Sequence, residues 1–68
     1  MIKINRKMVN KDIKELELWN NNLTHLPVEI WQLTQLTTLN VSFNNLTHLP
    51  VEIGQLTQLS EFNVTFFN

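Results

Sequence analysis

The sequence predicts an α/β repeat fold in which short parallel strands alternate with short helical turns. Residues 21–36 read NNLTHLPVEIWQLTQL, and residues 44–59 repeat them at an offset of 23 with a single difference, Trp31 against Gly54. Within each unit, an apolar alternation typical of a strand is followed by a proline and an apolar spacing typical of a helical turn. Repetition at a period of 20 to 50 residues is the signature of stacked supersecondary units, so the whole chain is expected to follow this alternation.

The strand of the second unit is predicted around Leu39 and Val41, which are two positions apart. Successive strand residues point to opposite faces, so both side chains face the core and Thr38, Asn40 and Ser42 face away from it. The same alternation places Leu16 and Leu18, and then Phe62 and Val64, in the equivalent strands. Stacking of the units is expected to set these strands side by side, about 4.8 Å apart, in one parallel sheet.

The helical turn of the second unit is predicted to begin at Pro50. Proline suits the start of a helix because its missing N–H would have no partner there. Ile53 and Leu56 follow at helical spacing and are expected to face the same core as the strand.

Each unit contains the spacing L-x-x-L-x-L-x-x-N-x-L, as IKELELWNNNL at 13–23 and LTTLNVSFNNL at 36–46, followed by L-P-x-x-I-x-x-L. This spacing resembles the 23-residue class of the leucine-rich-repeat family over residues 13–68. The resemblance implies a leucine-rich-repeat solenoid, a right-handed β-α superhelix with a short parallel sheet and short helical or 3₁₀ turns on the convex side. It also implies that Asn21 and Asn44 point inward and bond the backbone of neighbouring turns, a ladder that ends at Phe67 in the third unit.

The predicted organisation is an N-terminal segment, residues 1–12, followed by repeats at 13–35 and 36–58 and a partial repeat at 59–68. Residues 1–12 do not fit the repeat, and two interpretations stay open for them. Either they form a cap that covers the end of the first repeat with Ile2, Ile4, Met8 and Val9, or they are a partly disordered basic tail.

Composition narrows the function classes. A chain of 68 residues without cysteine is one small domain that has no disulfide to stabilise it. The net charge of −1 gives no reason to expect nucleic-acid binding, and no apolar run approaches the roughly 20 residues of a membrane span. In the absence of a signal-peptide pattern, we expect a cytoplasmic protein that binds neither nucleic acid nor a membrane.

Charge is distributed unevenly along the chain. The first 14 residues hold all five basic residues and Asp12, giving +5 − 1 = +4, whereas residues 15–68 hold five glutamates and no Lys or Arg, giving −5. The two parts of the molecule are therefore oppositely charged.

No catalytic motif is present in the sequence, which has neither cysteine nor a Gly-rich phosphate loop, so the chain is not expected to be an enzyme or to need a cofactor. His25 and His48 are repeat equivalents and are expected to be neighbours about 5 Å apart. Two imidazoles are fewer than the three or four protein ligands of a typical zinc site. We therefore predict no metal site and interpret the pair as surface residues copied with the repeat.

The preferred function is protein–protein interaction through the sheet face that points away from the core, the usual binding surface of the resembled family. Trp19 is the notable residue, because tryptophan is enriched at interface hot spots. A solvated face, with Trp19 packed on the N-terminal segment instead, is the plain alternative. The predicted partner-binding residues are Glu15, Glu17, Trp19, Asn40, Ser42, Glu61 and Asn63; the sequence does not identify the protein partner.

A different hypothesis is a self-assembling structural unit, a homo-oligomer joined through the last strand. The apolar segment there has little charge and high β propensity, which makes a strand edge a template for another strand. The predicted self-association residues are Phe62, Val64, Phe66 and Phe67. A head-to-tail chain of oppositely charged ends and a fragment of a longer repeat protein are the other possibilities considered.

Overall fold

A computed structural model describes residues 1–66, and within them it contains five strands and two 3₁₀ helices. The strands are β1 (Ile2–Ile4), β2 (Lys7–Val9), β3 (Glu15–Glu17), β4 (Thr38–Leu46) and β5 (Glu61–Phe66). The first 3₁₀ helix is Val28–Gln32 and the second is Val51–Gln55. No helix in this part of the chain is long and apolar enough to cross a membrane.

Strands β3, β4 and β5 form a parallel sheet in that order, with a register equal to the sequence repeat. Leu39 of β4 pairs with Leu16 of β3 and with Phe62 of β5, at an offset of 23 on each side. The loop bonds keep the same offset: the N–H of Thr37 donates to the carbonyl of Lys14 at 2.8 Å, and the N–H of Ser60 donates to the carbonyl of Thr37 at 2.9 Å. The predicted parallel sheet is therefore present.

The return segments are 3₁₀ helices rather than α-helices. The carbonyl of Pro27 accepts the N–H of Ile30 at 3.1 Å, and that of Pro50 accepts the N–H of Ile53 at 3.2 Å, both three residues on. Each proline directly precedes its helix, as the sequence predicts for a helix start. Such tight i→i+3 turns suit a segment of only five residues between two strands.

The core lies between the parallel sheet and the two 3₁₀ helices. The strands contribute the predicted inward residues Leu16, Leu39 and Val41, and the first 3₁₀ helix contributes Ile30; all four are buried. The full buried set is Ile4, Val9, Leu16, Leu18, Leu26, Ile30, Leu33, Leu36, Leu39, Val41, Leu46 and Leu56. One apolar cluster therefore joins the repeats to the N-terminal segment.

The N-terminal segment forms an antiparallel hairpin of β1 and β2. Asn5 and Arg6 both have positive φ, 47° and 74°, which is the backbone of a two-residue type I′ turn. Ile4 and Val9 face the core and are buried, whereas Met8 pairs with Lys3 on the opposite face and is 55% exposed. The expectation that Met8 helps to cover the first repeat is therefore wrong, because the pairing turns its side chain to solvent.

Asn44 is the only buried polar side chain in the described part of the chain, and its amide is fully hydrogen-bonded. Its Oδ1 accepts the backbone N–H groups of Asn21 at 2.8 Å and Leu23 at 3.0 Å. Its Nδ2 donates to the carbonyls of Leu18 and Val41, each at 2.9 Å. Nδ2 also donates to the carbonyl of Ser42 at 3.3 Å, so one side chain pairs five backbone groups of two adjacent repeats.

Asn21 does not have the inward role that the resemblance implies for it. Its side chain is exposed, and Nδ2 donates only to the carbonyl of Trp19 at 3.1 Å. The inward role requires the open backbone groups of a preceding repeat. Asn44 finds these groups in residues 18–23, whereas the segment before the first repeat in this chain is the hairpin.

We predict that Asn44→Ala destabilises the fold by roughly 3 kcal/mol, because it leaves several buried backbone groups without partners. The matched variant Asn21→Ala should cost less than about 0.5 kcal/mol, since its single bond is exposed. Urea unfolding followed by circular dichroism measures both free energies. Equal losses in the two variants would contradict the structural role assigned to Asn44.

Candidate functional site

The outward face of the parallel sheet is the most extended surface formed by side chains of several repeats. We call it the open sheet face, and its residues alternate with the buried ones along each strand. Thr38, Asn40 and Ser42 alternate with the buried Leu39 and Val41 in β4. The complete set is Glu15, Glu17, Trp19, Thr38, Asn40, Ser42, Glu61, Asn63 and Thr65, and it includes all seven predicted partner-binding residues.

Strand register arranges this face in rows that cross the sheet. The first row is Glu15, Thr38 and Glu61, which are Cα partners in successive strands. The second row is Glu17, Asn40 and Asn63. Because neighbouring strands lie about 4.8 Å apart, the carboxylates at the ends of the first row belong to backbones roughly 10 Å apart.

Trp19 lies beyond the end of β3 but continues its pairing. The N–H of Leu18 donates to the carbonyl of Asn40 at 2.8 Å, and the N–H of Asn20 donates to the carbonyl of Ser42 at 3.0 Å, so Trp19 lies between two ladder bonds. Leu18 is buried and Trp19 is 51% exposed, as alternation requires. Half of a large aromatic side chain is therefore open to solvent beside Ser42.

The centre of the face is polar and locally bonded. The Oδ1 of Asn40 accepts the hydroxyl of Ser42 at 2.6 Å and its N–H at 3.1 Å. These bonds hold the two half-buried side chains of β4 together. Asn40 lies between Glu17 of β3 and Asn63 of β5, and Glu61 is one row away beside Thr38. The face therefore has a neutral middle strand between acidic neighbours.

Phe43 is an exposed aromatic residue that the sequence analysis missed. It directly follows Ser42, is 71% exposed, and has a φ of 57°. Its repeat equivalent Asn20 has nearly the same φ, 58°, but asparagine tolerates the left-handed region whereas an aromatic side chain rarely adopts it. Comparison of positions 20 and 43 in the aligned repeats is the signal that would have revealed it.

The predicted self-association residues have different environments in β5. Phe62 and Val64 pair with Leu39 and Val41 and pack against the core, so they are half-buried. Phe66 is 42% exposed and pairs with Leu46 after a break in register. Phe67 lies outside the described residues.

A groove lies near the 3₁₀ helices. It is an open groove of about 500 Å³, lined by His25, Leu26, Val28, Trp31, His48, Pro50 and Glu52. The rings of His25 and His48 meet edge to face with centroids 6.0 Å apart, close to the spacing predicted for repeat equivalents. Each Nδ1 lies near the hydroxyl of the preceding threonine, Thr24 at 3.2 Å and Thr47 at 3.0 Å.

The described residues contain no cluster of side chains that could hold a metal ion. Within residues 1–66, no group of three or more His, Asp or Glu side chains is placed to hold a metal ion. No buried side-chain nitrogen or oxygen in that range lacks a hydrogen-bond partner.

The fold defines a repeat protein built from stacked strand and 3₁₀ units. The family model described as Leucine rich repeat matches residues 11–68, which is most of the chain, and the chain therefore belongs to the leucine-rich-repeat family. Members of this family typically act as non-enzymatic modules of protein–protein interaction. Neither a curated protein nor a solved structure matches the chain.

We predict that Phe43→Asn stabilises the protein by about 1 kcal/mol, because asparagine adopts the left-handed conformation at lower cost than phenylalanine. The reverse change at the equivalent position, Asn20→Phe, should destabilise it by a similar amount. Thermal and urea unfolding measure both variants. A loss of stability in Phe43→Asn would show that the Phe43 side chain itself stabilises the fold.

Proposed function

We propose that this chain is a protein-interaction module, part of a right-handed leucine-rich-repeat solenoid, that binds a partner through the open sheet face. The observation that supports it best is the half-exposed Trp19 at the end of β3, on the face where three strands present outward side chains. Tryptophan combines a large apolar area with few rotatable bonds, and it dominates many interfaces for that reason.

Comparison of the repeats supports the same face. The block that builds the return segments is identical in residues 21–36 and 44–59 except at one position. The outward strand positions differ much more: Trp19, Ser42 and Thr65 occupy one repeat position, and Glu15, Thr38 and Glu61 occupy another. The inward strand positions also differ but stay apolar, as in Leu18 against Val41, whereas the outward positions change in charge and size. The change of chemical character therefore includes the surface that we assign to binding.

The size of the face limits the affinity of this chain alone. Three strands span roughly 10 Å, and the four steps between the five residues from Glu15 to Trp19 add about 13 Å along the strand. Such a patch is a few hundred Å² at most, whereas a standard interface buries about 800 Å² on each partner. We therefore expect weak binding that depends strongly on one anchor residue.

The test is a selection of peptides from a random phage-displayed library on the immobilised chain. We predict that Trp19→Ala weakens binding of the selected peptides by about 2 kcal/mol, a roughly 30-fold loss of affinity, as expected for an interface hot spot. The change is measured by titration of synthetic copies of the peptides. Circular dichroism of Trp19→Ala should be unchanged, since the side chain lies outside the core.

Val51→Ala is the matched control. It removes an exposed apolar side chain from the second 3₁₀ helix instead of the sheet and should leave binding unchanged. Selected peptides that bind Trp19→Ala as well as the original chain would refute binding through the open sheet face.

Self-association is a second candidate, favoured by the position of β5. It is an edge strand of the described sheet, and exposed edges of apolar, weakly charged strands are templates for pairing with another strand. Phe66 is a partly exposed aromatic residue at this edge. In this proposal, Phe62, Val64, Phe66 and Phe67 of two copies approach one another.

We predict for this candidate that the solution mass rises with concentration and that Phe66→Glu lowers it to the monomer, because a carboxylate at the edge opposes strand pairing. Ultracentrifugation across a dilution series measures the mass. Thr57→Glu places the same charge on an exposed turn residue outside β5 and serves as the control. A constant monomeric mass of the unmodified chain would dismiss self-association.

A further inference from the structure

The open sheet face has charges of one sign only. Its charged residues are Glu15, Glu17 and Glu61, all exposed. No Lys or Arg occurs after position 14 in the sequence, so the sheet itself provides no cation to balance them. The surface is therefore electrostatically complementary to a cationic partner, and it repels anionic ones such as nucleic acid.

The first row provides a position for one cation. Glu15 and Glu61 flank Thr38, a short neutral side chain, in a row about 10 Å wide. An ammonium or guanidinium group above Thr38 lies within reach of both carboxylates, each of which extends from a neighbouring strand. The short Thr38 side chain leaves room for such a group, whereas a long side chain at that position would fill it.

A second position lies at the other end of the face. Glu17 and Trp19 point outward two residues apart, a separation of about 7 Å along the strand. An indole ring is the best aromatic surface for a cation, and guanidinium groups stack on it. A guanidinium on Trp19 can therefore meet the carboxylate of Glu17 at the same time.

We propose that the partner of this face is an extended basic segment with two arginines four positions apart. The first arginine lies between Glu15 and Glu61, and the second stacks on Trp19 beside Glu17. An extended segment advances by the same roughly 3.3 Å per residue as β3, so side chains at i and i+4 point to one face and match the distance from Glu15 to Trp19. This inference rests on the proposed function, since it uses the same surface.

The chain has one basic segment of its own, residues 1–14, with Lys3, Arg6, Lys7, Lys11 and Lys14 exposed. We favour an external segment over a second copy. Arg6 is the only arginine among the five, and the hairpin holds it in a tight turn. That turn cannot place two arginines along an extended face. A second copy is one outcome that the experiment below measures.

The experiment uses three synthetic ten-residue peptides on one Gly/Ser/Thr background. One has two arginines at i and i+4, one has them at i and i+3, and one has two glutamates at i and i+4. Two-dimensional NMR of the ¹⁵N-labelled chain at low salt follows the titrations. The indole N–H signal of Trp19 reports on the open sheet face, and that of Trp31 reports on the groove. The variant Trp19→Phe assigns the two signals, because it removes that of Trp19.

We expect the i, i+4 arginine peptide to shift the Trp19 indole signal and the amides of residues 15–19, leaving the Trp31 signal in place. The i, i+3 peptide has the same charge but directs its arginines to opposite faces, so it should bind about fivefold more weakly. The glutamate peptide should not bind. About 0.5 M salt should weaken the complex about tenfold or more, because the pairs are exposed and screened.

Matched variants test the assignment. Glu15→Gln with Glu61→Gln removes two charges from the first row and should weaken the i, i+4 peptide about fivefold to tenfold. Glu29→Gln with Glu52→Gln removes the same charge from the two 3₁₀ helices and should change the affinity for the i, i+4 peptide less than about twofold. Trp19→Ala should weaken binding of the i, i+4 peptide at least tenfold.

Three results would overturn the inference: equal binding of the arginine and glutamate peptides, equal losses in the two double glutamine variants, or shifts at Trp31 instead of Trp19. A fourth is salt-sensitive self-association that shifts the Trp19 signal without peptide, which would make a second copy the occupant. If library-selected peptides depend on Trp19 but contain no basic residue, only this inference fails. If binding of the library-selected peptides does not depend on Trp19, both the proposed function and this inference fail.

Discussion

The stacking of the repeats depends on the hydrogen bonds of one buried amide, Asn44. Where parallel strands end, the backbone groups of adjacent repeats lose their ladder partners. The bonds to the carbonyls of Leu18 and Val41 are buried there, and those from the N–H groups of Asn21 and Leu23 are partly buried. Asn44 accepts two N–H groups from residues 21 and 23 and donates to carbonyls of residues 18 and 41. A small domain whose core provides only a few kcal/mol of net stability cannot leave such groups unpaired. The position of the sheet, and thus of the open sheet face, follows from this pairing.

The strand alternation that builds the core also builds the candidate site. Leu16 and Leu18 are buried, and Glu15, Glu17 and Trp19 must then point to the opposite face. The sheet is held from one side by the core and the 3₁₀ helices, so the other side is free to vary without loss of packing. This explains how a small chain can hold a tryptophan half-exposed on a rigid element.

Two departures from local preference lie near each other, at Phe43 within β4 and at Trp19 just beyond β3. Phe43 has a left-handed backbone conformation that is costly for an aromatic residue, while its side chain is exposed. Trp19 presents a large apolar area to solvent at the same end of the neighbouring strand. Neither side chain gains full burial for its size.

Sequence and tertiary structure determined different parts of this protein. Periodicity along the chain predicted four features: the 23-residue offset, the inward residues Leu39 and Val41, the start of each 3₁₀ helix after a proline, and the seven outward residues of the sheet. These features depend only on neighbours along the chain. The sequence did not predict the type I′ hairpin, the exposure of Met8 or the left-handed backbone of Phe43. It also gave Asn21 the inward role that only Asn44 has. These features depend on which element lies on each side of a residue. Asn21 and Asn44 occupy the same repeat position, but only Asn44 has an earlier repeat whose backbone needs its amide, and that difference exists only once the repeats are stacked.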